Sequence, residues 1–366
     1  MRKRHLLFWN AYFIPASAIV GFVAGGWWTF LTLFVLFVVD PIVNLVLPAD
    51  RRNPSPDETE NLEHSWLWRW PLWLAIPVQI VLILFGLWAT STLHLSLVEI
   101  VGVTLSIGLS SGALGITVAH ELMHRLSWSE RSLATVLMMS TSYPHFSIEH
   151  VHGHHRNVGL RGDPATARKG EGFYAFLTRV ILSGFVSAWQ IEYVRLVRRG
   201  RNPRSLSNRM VRYGIAIVAL YAAILLAFGW VGVLFFAAQS FVAVVELELT
   251  DYIEHYGLVR NENNGSPEPV AARHSWDTDS PLTNWYLFQL GRHADHHLHA
   301  GRRYQLLESR PGSPRLPTGY PAMLVLALVP PLWRRIMDHR VDAVAAALKS
   351  PADEGDAAAG LNMQSH

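Results

Sequence analysis

Residues 6–47 read LLFWNAYFIPASAIVGFVAGGWWTFLTLFVLFVVDPIVNLVL, and Asp40 is the only charged residue among them. A helix needs about 20 apolar residues to cross a bilayer, so this stretch is long enough for two crossings. Gly25 and Gly26 interrupt it near the middle. The stretch therefore predicts an integral membrane protein whose first two spans are joined by a tight turn.

The rest of the chain extends this pattern. Only 16% of its 366 residues are charged and 50% are hydrophobic, whereas about 25% of the residues in a soluble domain are charged. Apolar runs predict six spans in all, at about 6–24, 27–47, 70–90, 98–118, 213–230 and 232–250. We therefore expect an all-α, integral membrane fold with six transmembrane helices, and with a turn near Gly229 to Gly232 between the last two.

The basic residues set the orientation. An even number of spans puts both termini on one side, and all 31 lysines and arginines fall on that side in the six-span arrangement. The positive-inside rule makes this side cytoplasmic. A cytoplasmic helical cap, formed by residues 119–212 and 251–349, would then complete a single domain over 1–349.

Three segments fit none of the spans. The apolar runs at 180–191 and 321–333 are too short to cross a bilayer, and we expect interfacial or buried segments on the cytoplasmic side. The stretch 350–366 combines Pro, Asp, Glu, Gly and Ala, which predicts a disordered tail. The chain has no cysteine, which excludes disulfides, thiolate nucleophiles and cysteine-ligated iron–sulfur clusters.

Histidines are concentrated on the predicted cytoplasmic side. Of the 18, only His94 falls outside it. Four motifs hold most of the others: HELMH (120–124), EHVHGHH (149–155), EHYG (254–257) and RHADHHLH (292–299). The motifs lie at the ends of spans or in the cap, so tertiary folding can bring them together.

The spacing within each motif suits a metal centre. Residues three, four or five apart lie on one side of a helix, which applies to the pair His120 and His124, to His150, His154 and His155, and to His293, His296 and His297. Neutral imidazole is the commonest protein ligand of iron, zinc and copper. Eight or nine ligands exceed the four that zinc takes, so we expect two metal ions. Ordinary structural roles are expected for His145, His274 and His339, and His152 and His299 fall outside the shared faces.

At these residues the chain resembles the integral-membrane alkane monooxygenases, within the wider membrane di-iron group that includes xylene monooxygenases and fatty-acid desaturases. The matching segments run in the family order from His120 to about His299: HELMHR (120–125), EHVHGHH (149–155), GDPATAR (162–168), DYIEHYGL (251–258), RHSWD (273–277) and LGRHADHH (290–297). Asp251 stands where the family usually has Asn, and Arg125 replaces a frequent Lys. Neither position is a histidine of the motifs.

The resemblance implies the cofactors and partners as well as the activity. It implies two non-haem irons held by nine histidines, namely His120, His124, His150, His154, His155, His255, His293, His296 and His297. It further implies terminal hydroxylation of an n-alkane by O2, with electrons from a reduced rubredoxin that a rubredoxin reductase supplies. The location it implies is the bacterial inner membrane, with the active site on the cytoplasmic side, and no nucleic-acid partner is expected.

Several carboxylates adjoin the motifs, where they can orient ligand rings and moderate the charge of the metals. We expect this role for Glu121, Glu149, Glu254, Asp251 and Asp295. Glu246, Glu248 and Asp251 fall at the inner end of the sixth span, where a charge is costly and indicates function. The alternative for these three is that the span ends earlier.

Two further predictions concern access to the centre. An apolar substrate would enter laterally from the lipid, along a channel that Trp27, Trp28, Phe30 and Phe34 of the second span line or limit; the alternative is ordinary packing or lipid contact. The chain lacks a GxGxxG motif and cysteine ligands for an iron–sulfur cluster, so the electrons must arrive from outside it, and a soluble carrier that docks on the cytoplasmic face would fit. The basic stretch 195–209 can attract an acidic carrier or, alternatively, anionic lipid.

The sequence leaves other functions open. The same architecture can act on aromatic methyl groups or on fatty acyl chains. The motif HELMH also fits a membrane zinc metalloprotease with Glu121 as the base, although that reading leaves the other motifs unexplained. A metal transporter or sensor is a third alternative, but transport sites lie near the bilayer midplane, whereas these histidines gather at one side.

Overall fold

The computed structural model describes residues 4–263 and 266–347, so the predicted tail at 350–366 lies outside the described residues. The structure is 72% helical. Its α-helices are, in chain order, α1 (Phe13–Ala24), α2 (Leu31–Phe34), α3 (Asp40–Val46), α4 (Pro56–His64), α5 (Trp70–Thr92), α6 (Leu97–Ser110), α7 (Thr117–Met123), α8 (Trp128–Met139), α9 (Phe146–Glu149), α10 (His155–Asn157), α11 (Phe173–Val197), α12 (Arg209–His255), α13 (Pro281–Tyr286), α14 (His293–Leu298), α15 (Tyr320–Ala327) and α16 (Pro330–Ala347).

Shorter elements complete the described chain. Turns of 3₁₀ helix cover Arg4–Tyr12, Gly26–Phe30, Trp66–Trp68, Ala272–His274 and Tyr304–Leu306, and π-helical turns cover Val35–Val39, Ser111–Ile116 and His150–His154. Strand β1 (Glu262–Asn263) pairs antiparallel with β2 (Ser266–Pro267), with Glu262 opposite Pro267. The expected all-α class is confirmed.

Consecutive elements join into helices that are long and apolar enough to cross a membrane. These are Arg4–Ala24, Gly26–Val46, Trp66–Thr92, Leu97–Met123, Phe173–Val197 and Arg209–His255. The chain is thus a multi-pass membrane protein, and many of the large apolar side chains on these helices face outward. Such outward apolar surface is stable in lipid because lipid tails are as apolar as the side chains.

Glycine ends two of the spans where the sequence predicted turns. Gly25, between the first two spans, has φ 71°. Gly229 has φ 66° and ψ −167°, and it divides the 47-residue α12 into two helices. Residues other than glycine rarely adopt positive φ. The two halves of α12 therefore correspond to the last two predicted spans.

Helix α11 differs from the sequence prediction. The run 180–191 was expected to be a short segment, whereas the structure places it within a helix of 25 residues that meets the length and composition of a span. This helix packs against the segment that carries His150. Its Arg179 binds Glu171 and two backbone carbonyls of the loop before the helix. We therefore keep six spans as a prediction: the other five candidate helices, with α12 counted as two. Helix α11 is assigned to the cytoplasmic cap.

The histidine motifs extend from, or pack below, the ends of the spanning helices. Helix α7 continues α6 through the π-helical turn Ser111–Ile116, and α12 ends at His255. Turns of π-helix inside α-helices are frequent at functional sites. Trp276 and Trp333 are buried below these ends, and the indole N–H of Trp276 donates to the Tyr256 carbonyl at 2.9 Å. This packing fixes the end of α12 against the segments that carry the other histidines.

Candidate metal centre

The nine histidines of the motifs meet in two adjacent groups. The five-histidine group consists of His120, His124, His150, His155 and His296, and the four-histidine group consists of His154, His255, His293 and His297. Within each group, one ring nitrogen of every residue lies within 4.8 Å of one from every other. Seven of the nine residues are buried and two are half-buried. Residues up to 177 positions apart thus share one interior site.

Local helix geometry distributes the rings between the groups. His150–His154 is a π-helical turn, in which residues five apart lie on the same side. His150 and His155 therefore enter the five-histidine group, while His154 points to the other group. In α14, His293 and His297 are four apart and share the four-histidine group, and His296 faces the five-histidine group. The sequence predicted one common target for each motif, but two of the motifs serve both groups.

The separations between the rings fit metal coordination rather than hydrogen bonding. The Nε2 atom of His150 lies 2.8 Å from that of His120 and 3.0 Å from that of His155. The Nε2 atom of His293 likewise lies 3.0 Å from those of His255 and His297. A single N–H cannot serve two such neighbours. Two nitrogens that bind one ion at about 2.1 Å and at right angles lie about 3.0 Å apart, so the residues present fit a metal ion in each group.

Burial favours the neutral form that binds metal in five of the nine histidines, whereas at His154 the facing Asp163 carboxylate outweighs burial and raises the pKa. Burial lowers the pKa well below the ordinary value for His150, His155, His293, His296 and His297. Each of these five imidazoles is therefore neutral at physiological pH, which is the form that binds metal. A set of neutral nitrogen donors suits iron, zinc and copper alike.

Two carboxylates lie against rings of the four-histidine group, and one of them forms a hydrogen bond. Asp163 Oδ2 accepts from Nδ1 of His154 at 2.8 Å, and Glu254 Oε1 lies 3.2 Å from Nδ1 of His293. Burial opposes ionisation of Asp163, but the facing His154 ring holds the pKa of that carboxyl below its usual range. Glu254 Oε1 accepts from the Tyr320 hydroxyl at 2.6 Å, and His293 Nδ1 has no hydrogen-bond partner, so the ring-orienting role of Glu254 stays a prediction. Asp163 was missed as a site residue, although the quoted segment GDPATAR contains it.

The other predicted carboxylates do not hydrogen-bond a histidine of either group. Glu121 binds Arg125 at 3.2 Å, and Glu149 accepts from Ser187 at 3.3 Å. Asp295 binds His299, Arg302 and Arg310. Gly153 leaves room for the Glu149 carboxylate, because a Cβ at that position would clash with its Oε1 atom. Asp251 Oδ2 is buried without a hydrogen-bond partner. The expected contact with ligand rings is thus absent for these four among the described residues.

An apolar cavity adjoins the two groups. It is lined by Leu36, Phe37, Gly112, Ala113, Ile116, Thr117, His120, Glu246, Leu247, Thr250, Asp251, Glu254, Tyr286, Leu287, Leu290, His293, Tyr320, Pro321 and Leu324. His120 belongs to the five-histidine group and His293 to the four-histidine group, so the cavity touches one ring of each. Glu246 and Asp251 line it too, whereas Glu248 faces away toward Tyr143, whose hydroxyl donates to it at 2.8 Å.

The predicted channel aromatics lie elsewhere. Trp27, Trp28 and Phe34 are 77%, 62% and 54% exposed, and neither they nor the half-buried Phe30 line this cavity. The exposure of the three fits the alternative of lipid-facing aromatics, and the lateral channel from the lipid stays a prediction. Leu36 and Phe37 of the same span line the cavity instead. The π-helical turn Val35–Val39 shifts the inward face of the span, and a helical pattern in the sequence does not reveal that shift.

The remaining histidines have ordinary surroundings. His274 Nε2 lies 3.1 Å from Glu268 Oε1, and His299 Nδ1 lies 2.9 Å from Asp295 Oδ1. His152 and His339 are exposed. His145 is buried against Tyr143 and Phe185. None of these five belongs to a histidine group in the described part of the chain, as the sequence predicted.

The fold and the site define a class of membrane-embedded metal proteins built on histidine clusters, and comparison with known proteins identifies the family. The fatty acid desaturase family model matches residues 96–310. The chain is 37% identical to alkane 1-monooxygenase 2 of Pseudomonas aeruginosa, over 91% of this chain and 92% of that protein. It is also 37% identical to alkane 1-monooxygenase 2 of Alcanivorax borkumensis, over 93% and 90%. The hydroxylase component of a xylene/toluene monooxygenase from Pseudomonas putida is 30% identical over 88% and 85%.

The chain therefore belongs to the membrane alkane monooxygenase family. The family resemblance inferred from the histidine motifs is confirmed. So is the assignment to the non-haem membrane oxidoreductases.

Proposed function

We propose that this protein hydroxylates the terminal carbon of n-alkanes with O2. The observation that carries the proposal is the apolar cavity that reaches one ring of each histidine group. An alkane has no polar handle, so only shape and apolar contact can position it. Leu36, Phe37 and Leu324 offer such contact beside His120 and His293. Family membership favours an alkane, and the xylene/toluene relative makes aromatic methyl groups the second candidate.

We further propose two iron ions as the cofactor, one in each histidine group. Iron supplies the redox chemistry that activates O2, which zinc lacks. The chain's own residues would bind and orient the ions: nine imidazoles would hold them, Asp163 fixes the His154 ring, and the apolar cavity excludes bulk water. Exclusion of water protects reactive species from side reactions.

The electron donor proposed is a reduced rubredoxin, re-reduced by its reductase, which docks on the cytoplasmic face. Arg198, Arg199, Arg201 and Arg204 are exposed and can attract an acidic protein. Arg195 and Arg209 are paired with Glu192, so they contribute less. The proposed location is the bacterial inner membrane, with both termini and the metal centre on the cytoplasmic side.

The test is product analysis with a purified, iron-loaded protein, rubredoxin, rubredoxin reductase and NADH. We expect 1-alkanols from n-alkanes by gas chromatography and mass spectrometry, at rates above those for m-xylene or a fatty acyl substrate. A preference for the aromatic methyl group or the acyl chain would replace the alkane assignment. Tightly bound zinc without iron, and no oxidised product, would contradict the oxygenase proposal altogether.

A further inference from the structure

A second cluster of ionisable side chains lies beside the two histidine groups. Tyr143, His145, Glu149, Glu248 and Asp251 line a small internal cavity. All five are buried. Neither Glu248 nor Asp251 adjoins a histidine of the two groups in sequence, and the metal centre as described leaves both without a role.

Three of the residues that line this cavity carry polar atoms without partners. His145 Nε2, Glu248 Oε2 and Asp251 Oδ2 are buried and have no hydrogen-bond partner. Buried polar atoms are nearly always hydrogen-bonded, either within the protein or to an internal water. This cavity of about 10 Å³ is about the smallest that holds one water molecule, which needs two or more such partners. The arrangement therefore suits a single ordered water among these side chains.

The outer end of the cluster approaches an open groove. Ser183, Ser187 and Gln190 of α11 line this groove together with Gly162 and Arg179. The Ser187 hydroxyl donates to Glu149 Oε1 at 3.3 Å, and Glu149 lines the internal cavity. One serine thus separates the groove from the internal cluster, and the polar side chains of the groove suit contact with water.

The inner end of the cluster reaches the site of reaction. Asp251 lines both the small cavity and the apolar cavity that touches His120 and His293. Glu248 and Asp251 are three residues apart on α12, so their side chains are neighbours on one face of the helix. The order of polar groups from the surface inward is the groove, Ser187, the internal cavity with Glu248, and then Asp251.

We propose that Glu248 and Asp251 form the route by which solvent protons reach the reaction cavity. The inference rests on the proposed hydroxylation, RH + O2 + 2 e⁻ + 2 H⁺ → ROH + H2O. In this reaction a C–H bond and the O–O bond break, a C–O bond forms, and the second oxygen leaves as water with the two solvent protons. The donor supplies the electrons. An apolar cavity cannot deliver the protons, so a polar path to solvent is required.

The decisive variant is Glu248→Gln, which keeps the shape of the side chain and removes its transferable proton. We expect the turnover number for alkanol formation to fall by about 10-fold or more, with a larger solvent deuterium isotope effect and unchanged metal content. Glu248→Asp should recover part of the rate. Asp251→Asn should behave as Glu248→Gln does.

The matched control is Asp40→Asn. Asp40 is another buried carboxyl group on a membrane helix, and its Oδ2 also lacks a partner, but it lines neither cavity. Its substitution should leave the rate and the isotope effect unchanged. A metal-loaded Glu248→Gln or Asp251→Asn variant with the parent's rate and isotope effect would overturn the route. Loss of metal from both variants would also overturn the route, because the two carboxyl groups would then act by stabilising the metal centre.

A readout independent of turnover separates this proposal from the proposed function. Infrared spectroscopy can follow hydrogen–deuterium exchange of buried carboxyl groups after transfer to D2O. We expect the carboxyl bands that disappear in Glu248→Gln and Asp251→Asn to exchange rapidly in the parent and several-fold more slowly in Ser187→Val. Exchange that Ser187→Val leaves unchanged, or the absence of such bands, would overturn the route even in a protein that hydroxylates alkanes. A parent protein that makes no alkanol but shows the expected exchange would contradict the hydroxylation alone.

Discussion

The two histidine groups differ in the carboxylates that lie near their outer ring nitrogens, the Nδ1 atoms. In the four-histidine group, Asp163 and Glu254 approach the outer nitrogens of His154 and His293. In the five-histidine group, no ring has a carboxylate partner among the described residues. Outer nitrogens without a hydrogen-bond partner occur in both groups, at His150 and His155 and at His293 and His297, so the difference between the groups rests on the Asp163 contact. A carboxylate behind a ligand histidine fixes the ring and raises its basicity. We therefore expect the four-histidine group to bind its ion more tightly and to hold it in a more fixed geometry.

The largest expected effect comes from removing a ligand. His154→Ala deletes a ring of the four-histidine group together with the Asp163 contact. We expect the metal content to fall from close to two irons per chain to a small remainder, and hydroxylation to fall by roughly 100-fold or more. Elemental analysis and Mössbauer spectroscopy on anaerobically purified protein provide the measurement. His152→Ala changes an exposed histidine of the same segment and should retain the metal; equal loss in both variants would contradict the assignment.

The next effect tests a support that both groups share. Asp295 lies on α14 between His293 and His296, and its carboxylate is fully buried against Arg302 and Arg310. Removing one partner of a buried ion pair costs about 3 kcal/mol or more. Asp295→Asn should therefore lower the midpoint of thermal unfolding in detergent and weaken metal retention in both groups. Selective loss from one group would show that α14 does not position the two groups together.

The third prediction addresses the difference between the groups directly. Asp163→Asn removes the charge behind His154 and should lower the metal affinity of the four-histidine group by about 10–100-fold. Glu121→Gln alters a carboxyl next to the five-histidine group that contacts Arg125 rather than a ring, so its effect on affinity should be much smaller. Rates of metal release to a chelator compare the two variants. Equal release rates would remove the proposed asymmetry.

The smallest effect concerns the cavity that touches both groups. Phe37→Ala enlarges the apolar lining beside His120 and His293 and should shift the preferred alkane length upward by a few-fold in relative rate, since one methylene in an apolar pocket is worth about 1–3 kcal/mol. Trp27→Ala and Trp28→Ala change exposed side chains and should leave the preference unaltered. Competition between alkanes of two lengths provides the measurement. If only the tryptophan variants changed the preferred alkane length, the substrate channel would lie along the exposed face of the second span.

Much of the site could be predicted from residue type and spacing. The four motifs named all nine histidines that meet in the structure, because imidazoles so close together on helices have few other uses. The supporting carboxylates were harder to predict. Glu254 directly precedes His255 in its motif, although the ring that it approaches is that of His293. Asp163 reaches His154 through a loop whose path the residue pattern does not specify. Asp295 lies between two histidines of a motif, as a carboxylate of a metal site would. In the structure it instead binds Arg302 and Arg310, which follow it in the sequence, and stabilises the cap.

The sequence by itself determined that the chain is a helical membrane protein and which histidines converge in the candidate metal centre. The physical reason is that spans follow from apolar length, and candidate metal ligands follow from a rare residue type at helical spacing. The tertiary structure alone decided how the rings divide into two groups and which span residues line the cavity. Those features depend on π-helical turns at Val35–Val39 and His150–His154, where one extra residue per turn redirects a helix face through packing that local sequence does not encode.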